Sequence, residues 1–377
     1  MFARLASLDD IELRVFVGRQ SQQTTADLDV RTLRSLSVSA RGRRVYLHPG
    51  IVRQIAGLDV LVVEGSIRLL TSFGLAVARR LHRIPIVWWT SMYEPAQGRV
   101  SLPSGLKRLA LRLALDRADA VLCYSTVAAE LVRRQITHPE RVFVAPNVLD
   151  TDALDAARSH WSGGKDELAL FAADKGMAGR TVILFVGRLV VQKRLPDLLH
   201  AFAIVRRERP SGRPLLAIVG DGPERDSIVR LAEDLGIAPD VRFFGEIREL
   251  DAICPFFLSA RAFVLPGAGG LAVYHALANG LPTIATFADG TEADLIEDGR
   301  TGFLCEPRDP VEIASRIARV LDWSTEEWER ASKACAAATR TDAHVDRMIG
   351  GFKSAIVFAA RSGAAHQGIR HHEFRVR

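Results

Sequence analysis

The stretch Ile183–Leu195, ILFVGRLVVQKRL, sets the frame for the whole chain. An apolar run stops at Gly187, Arg188 follows, and Lys193 comes five residues later, directly before a helical pattern over Leu195–Arg209. A short apolar strand that ends in a loop and opens a helix is half of a βαβ unit, and a sheet of such units binds ligands at the carboxyl ends of its strands. Two cations there can clamp a diphosphate, the guanidinium through a bidentate fork and the ammonium as a point charge. Taken alone, the segment fits two solvated bases on an ordinary loop equally well.

The arrangement recurs downstream. In Leu216–Ile228, LAIVGDGPERDSI, an apolar run ends at Gly220-Asp221-Gly222, Pro223 stands at the first helical position, and Glu224 and Asp226 fall in the first turn. Gly220 and Gly222 allow the backbone close to a ligand, although the spacing is not G-x-G-x-x-G and a tight βα turn is the other reading. In Phe263–Thr286, FVLPGAGGLAVYHALANGLPTIAT, a strand runs into Pro266-Gly267-Ala268-Gly269-Gly270, and a helix begins at Leu271 and stops at Asn279-Gly280. Small residues at a helix start expose backbone N–H groups and the positive end of the macrodipole, which suits a phosphate. Glycine-rich turns also arise for packing, but three such loops in one region are harder to set aside than one.

Further out, β-branched runs alternate with helical stretches along the chain. Strands are expected at Leu13–Val17, Arg43–Leu47, Asp59–Val63, Pro85–Trp89, Asp119–Tyr124 and Arg141–Ala145, then at Thr181–Val186, Leu215–Val219, Val241–Phe244, Ala262–Leu265, Pro282–Ala285 and Gly302–Leu304. Helices fit between them at Leu195–Arg209, Pro223–Leu235 and Leu271–Ala278. The expected fold class is α/β, with two Rossmann-like, doubly wound domains of parallel strands facing a cleft. The stretch Asp150–Arg180, with Ser162-Gly163-Gly164 inside it, reads as the boundary. This gives an N-terminal domain over 1–164, a second domain over 165–345, and a C-terminal helix and tail over 346–377. Glu326–Ala360 reads as one or two helices, and Ser362–Arg377 has no clear period. The adjacent His371 and His372 point apart on any regular element, and no other His or Cys sits at ligand spacing, so no metal site is expected.

Composition narrows the class. The 377 residues are 48% hydrophobic and 25% charged, which suits neither a disordered nor a collagen-like chain. Cys123, Cys254, Cys305 and Cys335 are far apart, as expected in a reducing compartment. No apolar run reaches the ~18 residues of a membrane span. The N-terminus places acids where a signal peptide would be apolar. A cytoplasmic protein is expected. Residues 1–150 hold 21 Lys+Arg against 13 Asp+Glu, and residues 151–377 hold 29 against 31. The basic first half suggests an anionic partner, or simply an arginine-rich surface. Nucleic acid is a poor fit, since no recognised module or interleaved aromatics accompany the charge.

In order and spacing, GRLVVQKRLPDLLHAF, IVGDGPERDSIVRLAEDLGI, VRFFGEI and LPGAGGLAVYHALANGLPTIATFADGTEADLIEDGRTGFL resemble the GT-B-fold glycosyltransferases, in particular family 4, the group 1 or glycogen synthase-like enzymes. VFVAPNVLDTDAL resembles the segment that closes their first domain. The resemblance covers Arg141–Pro307 well and the first 140 residues only in pattern. It implies hexosyl transfer from a nucleotide-sugar donor held by the C-terminal domain to a saccharide or lipid-linked saccharide held by the N-terminal domain, retaining, and without metal or other cofactor. By motif, Arg188 and Lys193 would bind the donor diphosphate and offset charge on the leaving nucleotide. Gly187, Gly267, Gly269, Gly270 and Leu271 would offer backbone to the same phosphates. Gly220, Gly222, Glu246 and Ile247 would border the nucleoside.

The chain also departs from that family. Its paired glutamates, eight positions apart, are replaced by Gly267 and His275. The glycine keeps only backbone contacts, while His275 can still hydrogen-bond a ribose hydroxyl, an ordinary buried helix histidine being the alternative. A subset of the family has a similar P-G-x-x-G-L-x-x-x-H arrangement. The family's acceptor-side histidine is missing from Ile84–Pro95, where Ser91, Tyr93 and Glu94 are the polar candidates. FARLASLDD followed by ELRVFVG resembles the end of the family's first helix and its second strand, so the first strand-helix unit is expected to be lacking. Gly105–Arg117, GLKRLALRLALDR, sets leucines at helical spacing beside Lys107, Arg108 and Arg112. This suits peripheral contact with an anionic membrane, at the inner face of the plasma membrane, or a plain surface helix. A nucleotide-sugar epimerase would want a carboxylate and histidine set that is not found. A degenerate, non-catalytic GT-B protein that binds nucleotide sugar or a partner enzyme is the competing reading. The lost glutamates favour it, and the Arg188/Lys193 pair counts against it.

Overall fold

Beyond residue 180 the expected strands form within one residue at each end. The computed structural model describes residues 2–8, 11–18, 29–40, 43–65, 70–78, 83–90, 104–149, 151–269, 271–288, 290–341 and 344–367. These fall into two units, 1–146 with 346–377, and 147–345.

The second unit holds β9 (Thr181–Val186), β10 (Pro214–Val219), β11 (Val241–Phe243), β12 (Ala262–Leu265), β13 (Thr283–Thr286) and β14 (Gly302–Cys305). They form one parallel sheet in the order β11-β10-β9-β12-β13-β14. Every residue of β10, β12 and β13 is buried, because helices cover both faces. The helix Leu195–Glu208 buries Leu198, Leu199, Phe202 and Val205 along one stripe. Each such side chain contributes about 1.5–3 kcal/mol on burial. At the base of the sheet Asp240 accepts from Arg180 and Arg206. Burial alone would raise its carboxyl, but the two guanidiniums outweigh burial and hold it below the usual range.

The first unit holds β1 (Arg14–Gly18), β2 (Asp29–Leu33), β3 (Leu36–Ala40), β4 (Arg43–Leu47), β5 (Leu61–Glu64), β6 (Ile86–Thr90), β7 (Ala120–Cys123) and β8 (Val142–Val144). β5-β6-β7-β8 is a parallel sheet and β1-β2 a separate parallel pair. β2 and β3 were not expected. Polar residues interrupt both (DVRTL, LSVSA), and β3 pairs antiparallel with β4, so Arg43–Leu47 is not part of a parallel sheet. The helix Phe2–Ala6 precedes β1.

Two differences concern how the chain divides. Most of Asp150–Arg180, expected as the boundary, is the helices Thr151–Gly163 and Lys165–Asp174, which belong to the second unit. Leu154 lies in that unit's core, Trp161 Nε1 donates to the Asp251 carbonyl at 2.9 Å, and Arg340 pairs with Asp155 at 2.6 Å. At the other end Thr325–Thr341 and Val345–Gln367 are two helices, and the second reaches past the expected end of the helical pattern and rejoins the first unit. A Cβ on Gly351 would stand 2.1 Å from the Val144 carbonyl oxygen, so only glycine lets this helix lie against β8. Phe352 packs on Trp89 and Phe358 on Phe143, with ring centroids 5.0 and 5.4 Å apart. His371 and His372 lie outside the described residues.

Candidate functional site

In the second unit the chain runs β9 to β10 to β11 on one side and then crosses to β12, so strand order reverses between β9 and β12. Ligands of open α/β sheets bind at the carboxyl ends of the strands flanking such a switch point. The loops after β9, β10 and β12 meet there. Gly187 N–H donates to the Val219 carbonyl at 3.0 Å, Leu189 N–H to the Asp221 carbonyl at 2.9 Å, and Gly220 N–H to the Gly245 carbonyl at 2.6 Å. The loops touch backbone to backbone. A Cβ on Gly222 would lie 2.3 Å from the Leu189 carbonyl oxygen, and one on Gly267 would lie 2.3 Å from that of Gln192.

Arg188 is exposed, and its guanidinium forms no hydrogen bond or ion pair among the described residues. Lys193 Nζ donates to the Ala268 and Gly269 carbonyls at 2.5 and 3.3 Å, so its head ties the β9 loop to the β12 loop. The next residue, Arg194, has φ 53°, a left-handed conformation that costs a non-glycine residue of order 1–3 kcal/mol. Its ion pair with Asp197 at 2.6 Å offsets part of that cost and starts the helix Leu195–Glu208.

Leu271, 37% exposed, opens the helix Leu271–Ala278. One turn in, His275 is buried against Phe257 at 4.4 Å between ring centroids, and its Nε2 has no hydrogen-bond partner among the described residues. Burial pushes its pKa down to about 4, so the ring is neutral near pH 7. Glu246 is exposed and pairs with Arg248 at 3.0 Å, while Ile247 packs on the core. Gly270, Ser91, Tyr93 and Glu94 lie outside the described residues.

Glu292, a lone glutamate after Gly290-Thr291, carries little signal in the sequence. Its buried carboxylate accepts from the backbone N–H groups of Ala288 and Gly290 and shapes the loop after β13. Burial pushes the thiols of Cys123, Cys254, Cys305 and Cys335 up to about 12, which keeps them unreactive. Among the described residues no three His, Cys, Asp or Glu side chains gather as a metal cluster, and no helix is long and apolar enough to cross a membrane.

A doubly wound unit with a glycine-lined switch point, in one chain with a unit built on the parallel sheet β5-β6-β7-β8, is the arrangement of the GT-B class of α/β proteins. The group 1 glycosyl transferase model matches residues 172–338, and the glycosyltransferase family 4 model matches residues 2–153. The chain belongs to the group 1 glycosyltransferases. It is 31% identical over 241 residues to D-inositol 3-phosphate glycosyltransferase of Streptomyces scabiei, covering 61% of this chain and 50% of that protein. It is 30% identical over 155 residues to glycogen synthase of Mycobacterium tuberculosis, covering 40% and 36%. The matches thus span half or less of these relatives' own length. Among solved structures, Anabaena HepE in complex with UDP superposes with a TM-score of 0.66 at 18% identity, over 81% of this chain and 80% of that one. Sucrose-phosphate synthase of Thermosynechococcus elongatus gives 0.67 at 16% identity, over 94% and 88%.

Proposed function

We propose that the chain transfers a sugar from a nucleotide-sugar donor, held by the second unit, to a saccharide or lipid-linked saccharide held by the first. The observation that carries this reading is the juxtaposition at the switch point of the Arg188 guanidinium, unpaired among the described residues, with glycine backbone from three loops and the Lys193 head. The UDP in the HepE structure supports a nucleoside diphosphate as the ligand. Arg188 neutralises charge that builds on the diphosphate as the sugar leaves, and Lys193 both adds charge and fixes the loop that faces the phosphates. Gly220, Gly222, Glu246 and Ile247 border the base and ribose, and the unpartnered Nε2 of the neutral His275 meets a ribose hydroxyl. These cations and the start of the helix Leu271–Ala278 supply the stabilisation expected of a metal-independent, retaining transfer. The first unit docks peripherally on anionic lipid at the cytoplasmic face through the helix Ser104–Arg117, on which Leu109 and Leu113 are 54% and 42% exposed, one turn apart.

Thermal unfolding against a panel of nucleoside diphosphates tests the donor site. One nucleotide at ~100 times its Kd is expected to stabilise by about 2.7 kcal/mol. Arg188→Ala is expected to abolish that shift without lowering the melting temperature of the free protein. Absence of any shift across the panel would overturn the donor-site assignment.

A further inference from the structure

Glu249 precedes the helix Leu250–Leu258 but makes no side-chain capping bond to it among the described residues. The start of that helix is held from outside, by the helix Thr151–Gly163. His160 Nδ1 hydrogen-bonds to Asp251 Oδ1 at 2.8 Å, and Trp161 Nε1 donates to the Asp251 carbonyl at 2.9 Å. One residue of the first turn is thus gripped by both its carboxylate and its backbone. The other ring nitrogen, His160 Nε2, stands 4.0 Å from the Glu167 carboxylate on the helix Lys165–Asp174. Packed rings run inward from this grip. Trp161 meets Phe171 at 5.7 Å, Phe171 meets Phe256 at 4.9 Å, and Phe256 meets Phe244 at 4.8 Å. Phe244 opens onto the turn 245–249, which leads directly into the gripped helix. At its near end the Gly245 carbonyl accepts from the Gly220 N–H at 2.6 Å, beside the switch point. The turn is therefore anchored at one end by the loop after β10 and at the other by His160 and Trp161.

We propose that His160 is a positioning residue for the nucleotide: doubly protonated, it clamps Asp251 and through it the turn 245–249, so that a nucleoside diphosphate binds more tightly than when the ring is neutral. A neutral imidazole has one N–H to offer. The imidazolium donates from both nitrogens, towards Asp251 and Glu167, and carries a charge that both carboxylates attract. The hydrogen bond to Asp251, and then its charge, raise the histidine above its usual 6.5. The clamp is accordingly present in mild acid and released as pH rises through that raised value. No other charged group is placed to take over its role. Asp251 is the one charged residue of Leu250–Leu258, Asp155 pairs with Arg340, and Arg158 donates to the Ala278 carbonyl. On the helix Leu271–Ala278, His275 packs on Phe257 instead. By linkage, proton and nucleotide each favour the binding of the other by the same factor. That the turn borders the nucleoside rests on the proposed function; the grip on Asp251 does not.

Calorimetric titration of the full chain with UDP, ADP and GDP, from about pH 6 to about pH 8.5, supplies the test. For the tightest of the three, His160→Gln is expected to weaken binding about threefold at the acid end, the scale of an exposed ion pair, and to leave it unchanged at the alkaline end. Titration of the nucleotide's own phosphate cancels in the ratio of the two proteins. His160→Arg, charged throughout the range, is expected to keep the tighter binding at every pH, and Asp251→Asn to match His160→Gln. A ratio that stays constant with pH would make His160 a plain structural contact and overturn the proposal. Equal binding by wild type and His160→Gln in acid would overturn it too, as would His160→Arg binding as weakly as His160→Gln. The side chains of His160 and Asp251 are half exposed, so the three variants fold. Failure of every nucleotide to bind the wild type at any pH would instead sink the donor reading, and this proposal with it.

Discussion

In the second unit β9 has a hydrogen-bonded neighbour on each side. In the first, among the described residues, β1 pairs only with β2 and β5 only with β6. The strands of the two units are alike in kind, but they are used differently. β10, buried along its whole length, sits inside a continuous six-stranded sheet. Val15, Phe16 and Val17 of β1 stay half-buried in a two-stranded pair, and such pairs are marginal by themselves in water. The difference teaches where each unit draws its stability. The second draws on its own sheet, and the first depends on elements brought from elsewhere in the chain, above all the C-terminal helix. Heating is therefore expected to open the first unit before the second.

The sharpest way to break the comparison is a matched pair of glycine substitutions. Gly222→Ala forces a Cβ against the Leu189 carbonyl, and Gly351→Ala forces one against that of Val144. Each is expected to cost about 3 kcal/mol or more, since the obstacle is backbone rather than a movable side chain. In calorimetry, Gly222→Ala is expected to lower only the upper transition and Gly351→Ala only the lower one. If both variants lower one common transition, the units do not unfold separately.

A slightly smaller effect comes from acid. The folded pKa of His275 lies at about 4, below the 6.5 of an unfolded histidine, so between those values the unfolded chain binds the extra proton. Stability of the second unit is therefore full above pH ~6.5 and falls by about 3 kcal/mol as pH drops to ~4. His275→Phe is expected to remove that slope from the upper transition and leave the lower one as it was. An unchanged slope would mean that the imidazole is not buried in the neutral form.

The smallest effect is expected from Leu109→Ser with Leu113→Ser. Both leucines are largely exposed, so stability should move by less than about 0.5 kcal/mol. Flotation with anionic vesicles should nonetheless fall. Undiminished flotation, or none in the parent chain, would return this helix to an ordinary surface.

What could be read in advance follows the same division. The strands of the second unit are unbroken runs of Val, Ile, Leu and Phe that end at glycine or proline, so their positions, and the loops that carry Arg188, Lys193 and Gly222, stand out from the sequence. β2 and β3 are diluted by Asp, Arg, Thr and Ser, and only their pairing in space makes them strands. The return of the C-terminal helix had one local sign, Gly350-Gly351 inside a helical pattern, where glycine is unfavourable unless another backbone comes close. The residue it meets, Val144, lies some two hundred positions earlier, and no local signal reaches that far.

That returning helix also sets an order of events during synthesis. Domains ordinarily fold from the N-terminus as they leave the ribosome. Here residues 1–146 emerge before the second unit but lack Phe352 and Phe358, the partners of Trp89 and Phe143, until that unit has been made. The second unit is complete before then. Of the two units, the one whose strands are translated earlier is thus finished later.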